Sequence, residues 1–299
     1  MADTIRIGIA GPKTGPVAQY GDMQFLGARQ AVKDINARGG VGGKMLEVKE
    51  YDDAADPKQA VAVANRVVND GVRFLIGHVA SLATQPASDV YEDEGVLMIT
   101  PAATSPEITD RGYRLVFRTI GLDSEQGPVA GDYIADHARP KTVAVLHDKQ
   151  RYGEGLAASV KRTLERKGVE VAVFEGVNAG DKDFSSLVQK LKANGVDFVH
   201  WGGCHPELGQ ILPQARESGV KARFMAGEAC ANDSLSQIAQ AVEAAGSEDP
   251  ERVAKALHEG TFKTRTGTLG FDGKGDLKDF RFMVHEWHFG RPKTEVSPQ

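Results

Sequence analysis

Short apolar runs that alternate with segments of helical periodicity constrain this chain more than any other feature. Strands are expected over 5–10, 46–52, 74–79, 96–100 and 115–120, with helical spacing over 22–38, over 57–70 and from Thr84 onward. After 120 the pattern restarts with a helix from Glu125, then strands over 142–147, 169–174, 198–202 and 223–226. Helices over 152–167, 184–193 and 206–218 separate these strands. Strands joined through helices need crossover connections, which are right-handed, so the pattern implies βαβ units and two parallel sheets. The chain is expected to be α/β with a boundary near 120–124, and it carries neither a low-complexity segment nor a short repeat.

The chain has 299 residues, enough for two domains that each bury a core. A net charge of −5 without a lysine or arginine cluster argues against nucleic acid or an anionic membrane surface as partner. No apolar run approaches the roughly 18 residues that cross a bilayer. The N-terminus enters a strand almost at once, so no signal peptide is expected; either one was removed and Met1 added, or the protein is cytosolic. Gly8-Ile-Ala-Gly11-Pro-Lys-Thr-Gly15 matches neither common phosphate-loop spacing and reads as a structural turn. The histidines are scattered, and His285 and His288 read as packing or surface residues. No metal-ligand spacing recurs, so no cofactor and no metal are expected.

The two cysteines mark where chemistry is expected. Cys204 ends the run Asp197-Phe-Val-His-Trp-Gly-Gly-Cys, and Cys230 follows Arg223-Phe-Met-Ala-Gly-Glu-Ala. In each, an apolar strand stops at small residues before a helix begins. Ligands of open α/β sheets bind outside the carboxyl ends of the strands, so both thiols are expected to line a pocket. Two cysteines do not make a disulfide framework.

Several segments resemble one family. Thr14-Gly-Pro-Val-Ala-Gln-Tyr20-Gly-Asp22, Tyr51-Asp-Asp-Ala-Ala-Asp-Pro57, Thr84-Gln-Pro-Ala-Ser-Asp89, Tyr91-Glu-Asp-Glu-Gly95, His147-Asp-Lys-Gln-Arg-Tyr-Gly-Glu-Gly155, Gly180-Asp-Lys-Asp-Phe-Ser185 and Gly273-Lys-Gly-Asp-Leu-Lys278 are similar to the periplasmic leucine/isoleucine/valine-binding proteins of ABC importers. The resemblance implies a type I periplasmic binding protein: two Rossmann-like lobes with parallel sheets, joined by hinge strands. Lobe one would be 1–120 plus 241–275, and lobe two 121–240 plus 276–299. It also implies a monomer, a small-molecule amino-acid ligand, a periplasmic location and an ABC importer as membrane partner. By the family pattern Ser81, Thr104 and the backbone at Ala102 match carboxylate binders. Glu228 matches the ammonium-binding acid, and Tyr20 and Tyr152 match aromatic walls. Such groups suit a zwitterion, which needs donors for its carboxylate and an acid for its ammonium.

Departures from the pattern set up the competing expectations. The family's usual disulfide in its first lobe would fall at Ala55 and Ala80, Cys204 replaces an aromatic residue, and Leu82 stands where a small polar residue is expected. Loss of two thiols together with two new ones at strand ends reads as an engineered cleft. Ile238-Ala239-Gln240 runs straight into Ala241-Val-Glu-Ala-Ala-Gly, where the family would carry a hinge strand and roughly fifty more residues, a stretch longer than the ~10–12 that a crossover alone requires. Branched-chain amino acids are therefore expected to bind weakly. The alternative is a designed cysteine hydrolase acting on an activated ester, with Cys204 or Cys230 as nucleophile and His200 or His205 as base. His200 and Cys204 share strand parity but stand about 13 Å apart at ~3.3 Å per residue, so a direct dyad would need a bend. A metal site of Cys204, Cys230, His205 and Glu228 has ligands but no ordinary spacing.

Overall fold

The computed structural model describes residues 4–227, 234–264, 267–286 and 294–295. In chain order the elements are β1 (Thr4–Gly11), α1 (Ala18–Ala37), β2 (Met45–Asp52), α2 (Pro57–Asn69), β3 (Phe74–Ile76), α3 (Ser81–Asp93), β4 (Leu97–Thr100) and β5 (Val116–Arg118). The second series is α4 (Asp123–Asp132), β6 (Val143–His147), α5 (Arg151–Arg166), β7 (Val171–Gly176), α6 (Ser185–Ala193), β8 (Phe198–Gly202), α7 (His205–Glu217) and β9 (Arg223–Ala226). Then come α8 (Ser234–Ala245), α9 (Pro250–Glu259), β10 (Thr261–Thr264), β11 (Gly267–Gly270), β12 (His285–Glu286) and β13 (Thr294–Glu295). No described helix is long and apolar enough to cross a membrane.

The chain divides into two compact units, Met1–Gly121 with Ala229–Phe280, and Leu122–Glu228 with Arg281–Gln299. In unit 1 the sheet order is β2-β1-β3-β4-β5, parallel throughout, with Ile7 opposite Phe74, Leu75 opposite Met98 and Ile99 opposite Phe117. Both faces are covered over β3, β4 and β5, which are buried throughout, whereas the edge strand β2 alternates. Ile7, Ile99 and Phe117 pack with Val32 of α1 and with Val242, Val253 and Leu257 of α8 and α9. Leu75, Met98 and Val116 pack with Val63 and Val67 of α2 and with Ala83 and Tyr91 of α3. Asp56 caps α2 by accepting the Gln59 N–H at 2.8 Å, with Pro57 preset for the first turn.

Unit 2 repeats the plan with order β7-β6-β8-β9, again parallel. Val145 and Phe198 face Leu156, Val160 and Leu164 of α5, while Leu146, Val199 and Trp201 face Leu187 and Leu191 of α6 and Ile211 of α7. In both sheets the order reverses between the first strand and the third. The carboxyl ends there form the crevice that α/β sheets use for ligands.

Three boundaries differ from those expected. Helix α1 begins four residues before Asp22, and β3 stops at Ile76 instead of running to 79. Gly77 has φ +135°, and a Cβ there would come within 2.1 Å of the Ala10 carbonyl oxygen, so the strand must turn away. The expected return to the first unit after Gln240 falls inside α8, whose Ala241 and Val242 are buried in the unit 1 core. The segment through Phe280 also belongs to unit 1, because Asp276 is buried there.

Gly275 makes the turn that brings Asp276 in. Its φ is +90°, its carbonyl oxygen accepts the Arg118 backbone N–H at 2.9 Å, and a Cβ on it would lie 2.2 Å from the Val116 carbonyl oxygen. Gly275→Ala is expected to cost about 1–3 kcal/mol in urea unfolding. An unchanged midpoint would show that this turn does not constrain the sheet.

Candidate functional site

The site residues of unit 1 lie on the loops that leave β3 and β4. Ser81 is the first residue of α3, so the N-terminal end of that helix, with its outward N–H groups and positive dipole end, lies just beyond β3. Ala102 and Thr104 lie on the segment after β4. The Ser105 backbone N–H donates to Ser81 Oγ at 3.3 Å, which ties the two loops together. Thr104 is 1% exposed, and its Oγ1 has no hydrogen-bond partner among the described residues. A buried hydroxyl without a partner is costly. Tyr20 lies in the first turn of α1 and is half-buried.

Two buried polar clusters hold these loops, and the sequence reading missed both. His78, which follows β3, is fully buried, with Nδ1 2.5 Å from Asp53 Oδ2 and Nε2 3.0 Å from the Tyr91 hydroxyl. The hydroxyls of Thr84 and Thr100 donate to the His78 carbonyl oxygen at 3.1 and 2.7 Å, and Thr100 Oγ1 accepts the Ala103 N–H at 3.1 Å. The loop ahead of Ser81 is thus joined to the loop ahead of Thr104. Burial raises the Tyr91 hydroxyl well above its usual range, so it stays protonated.

The second cluster is Arg118 at the end of β5. Its guanidinium donates to the carbonyl oxygens of Ala103 at 2.8 Å and Ser105 at 2.9 Å, on either side of Thr104. It also reaches Thr109 Oγ1 at 2.7 Å and pairs with Asp276 Oδ1 at 2.5 Å. The signal for it in the sequence was an arginine closing an apolar strand run, Leu115-Val-Phe-Arg118, where a solvent-facing residue would be unremarkable.

In unit 2, Asp148 follows β6 and is buried; its Oδ1 accepts the Gln150 N–H at 2.9 Å and its Oδ2 the Cys204 N–H at 3.2 Å. Burial raises its carboxyl above the usual range. The Tyr152 hydroxyl stands against Gly227, where a Cβ would lie 2.4 Å from it. Glu228, Cys230 and His288 lie outside the described residues. No group of described side chains could hold a metal ion.

The thiol chemistry expected at Cys204 is not supported. Cys204 is the N-cap of α7 and a free thiol; burial pushes it up to about 12, and the charges of Asp148 and Glu207 add to this. That is opposite to the lowered pKa a nucleophile needs at neutral pH. His200 is fully buried inside β8 with neither ring nitrogen hydrogen-bonded among the described residues, so it makes no dyad with Cys204, and burial lowers it to about 4. His205 is exposed at the start of α7. Among the described residues nothing supports the engineered cleft that the sequence suggested. At pH 7.4 Cys204 is expected to alkylate with iodoacetamide more slowly than a free thiol, read by peptide mass spectrometry. Faster labelling would contradict this environment.

Comparison with known proteins bears on the family and the fold. A family model described as periplasmic binding protein matches residues 4–238. The chain is 54% identical to the leucine-, isoleucine-, valine-, threonine- and alanine-binding protein of Pseudomonas aeruginosa, covering 99% of this chain and 93% of that one. It is 48% identical to the Leu/Ile/Val-binding protein of Escherichia coli K12, over 99% and 94%. The alignment with the Pseudomonas protein runs over 347 positions against 299 residues here, so at least 48 positions have no counterpart in this chain. Its fold is similar to that of the LivJ substrate-binding protein from Streptococcus pneumoniae, solved with isoleucine, at TM-score 0.88, 23% identity and coverage of 99% and 100%. By the family model over most of its length and by these relatives, the chain belongs to the periplasmic binding protein family.

Proposed function

We propose that this chain binds a free branched-chain amino acid and serves as the solute-binding protein of an ABC importer in the periplasm. The observation that carries this reading is the buried, unpartnered Thr104 hydroxyl beside the N-terminus of α3. A hydroxyl donor and helix N–H groups suit a carboxylate, and burial makes each such bond worth more than in water. Ser81, Thr104 and the Ala102 N–H take the carboxylate, and Tyr20 supplies aromatic surface. Relatives named for binding leucine, isoleucine and valine support this ligand class.

Affinity is expected to be lower than such a site can reach. Cys204 removes an aromatic surface worth ~150–250 Å² at about 25 cal/mol per Å², and Leu82 adds bulk in the first turn of α3. Leucine titrated by calorimetry is expected to bind with a Kd above ~1 μM.

Thr104→Val tests the site itself. It keeps the shape and removes the hydroxyl, so leucine affinity is expected to fall about tenfold or more, or ~1.4 kcal/mol. Stability without ligand is expected to stay the same or rise, because a buried unpaired group is gone. Unchanged affinity in a folded variant would refute the reading.

A further inference from the structure

Unit 2 contains a cavity of about 630 Å³ along the outer side of β9. Among the described residues β9 pairs only with β8, so its far edge presents unpaired backbone N–H and C=O groups. All five residues from Arg223 to Gly227 line the cavity, although successive side chains of a strand point to opposite faces. The cavity also meets Val129 of α4 on one face of the sheet and Leu212 of α7 on the other. Only a body lying in the plane of the sheet, alongside β9, touches both.

Burial is consistent with that. Every residue of β6 and β8 is buried, whereas in β9 Arg223 and Ala226 are exposed and Phe224 and Met225 are half-buried. Met283, on the opposite wall, is 59% exposed. His200 and Gln126 also line the cavity, and the His200 ring nitrogens and Gln126 Oε1 are buried without partners. The family match stops at 238, soon after β9, and the relatives carry at least 48 positions that this chain lacks.

We propose that the edge of β9 is a binding site for an extended apolar peptide supplied in trans, which adds to the unit 2 sheet as a fifth strand. Main-chain hydrogen bonds to β9 give the affinity, and because α4 and α7 cover the two faces, apolar side chains are accepted on both. A polar side chain entering beside Met225, which is in register with His200, meets the unpartnered imidazole. This site is independent of Ser81 and Thr104, so leucine binding and peptide binding succeed or fail separately.

The probe is a fluorescein-labelled, capped eight-residue peptide of valine, leucine and threonine with terminal lysines, followed by anisotropy against the full chain. The control is the same peptide N-methylated at alternate residues, which keeps its apolar surface and loses main-chain donors. Saturable binding, at least tenfold weaker for the methylated peptide and for Met283→Glu, is expected. Hydrogen exchange at 223–227 is expected to slow at least tenfold on adding peptide, while β2, the outer strand of unit 1, stays unchanged. Equal binding of both peptides, no binding to a folded chain, or unaltered exchange at 223–227 would overturn the proposal. So would a dimer by light scattering that the peptide does not dissociate, since a second copy would then be the occupant.

Discussion

The arrangement of unit 1 depends on one buried ion pair, Arg118 with Asp276. A fully buried guanidinium carries a desolvation cost that only complete pairing offsets. Here the pairing is supplied by a carboxylate, two carbonyl oxygens and the Thr109 hydroxyl, which in turn donates to Asp276 at 2.8 Å. Removing one partner of such a pair costs roughly 3–5 kcal/mol, because the other charge is left stranded. The geometry therefore has little freedom. The turn at 272–276, the end of β5 and the segment 103–109 are held as one body.

That rigidity bears on function. Thr104, whose hydroxyl has no partner among the described residues, is held by neighbours on both sides whose carbonyl oxygens are occupied by Arg118. The Asp53–His78–Tyr91 cluster does the same for the loop that delivers Ser81. Both clusters fix the backbone, and neither engages the Thr104 hydroxyl. Preorganisation of this kind lowers the ordering cost of binding, since loops of this length would otherwise lose freedom when ligand arrives.

Much of this was legible in the sequence, and the failures have physical causes. Alternating strand and helix periodicity was enough for the two parallel sheets, because strands covered on both faces stand out as continuous apolar runs such as Leu97–Thr100. The strand end at Ile76 was missed because Val79 continues the apolar pattern, while the turn at Gly77, whose φ is +135°, packs too close to the distant Ala10 carbonyl oxygen for any side chain. Arg118 was invisible for a related reason: its carboxylate partner is far away in the chain, at Asp276. Cys204 misled in the opposite direction. Position at a strand end suggested reactivity, yet the burial of Cys204 and two nearby acids disfavour its thiolate. Ser81 and Thr104 were reached through family resemblance, and spacing alone would not have singled them out.

The central claim is that the carboxylate of the ligand is held at the ends of β3 and β4 by groups fixed before it arrives. Backbone amide chemical shifts during a leucine titration test this most directly. The account predicts that the largest changes fall at 81–83 and 102–105, with small changes at 272–276 because that turn is already locked. Binding that leaves 81–83 and 102–105 unmoved while shifting amides elsewhere would contradict it.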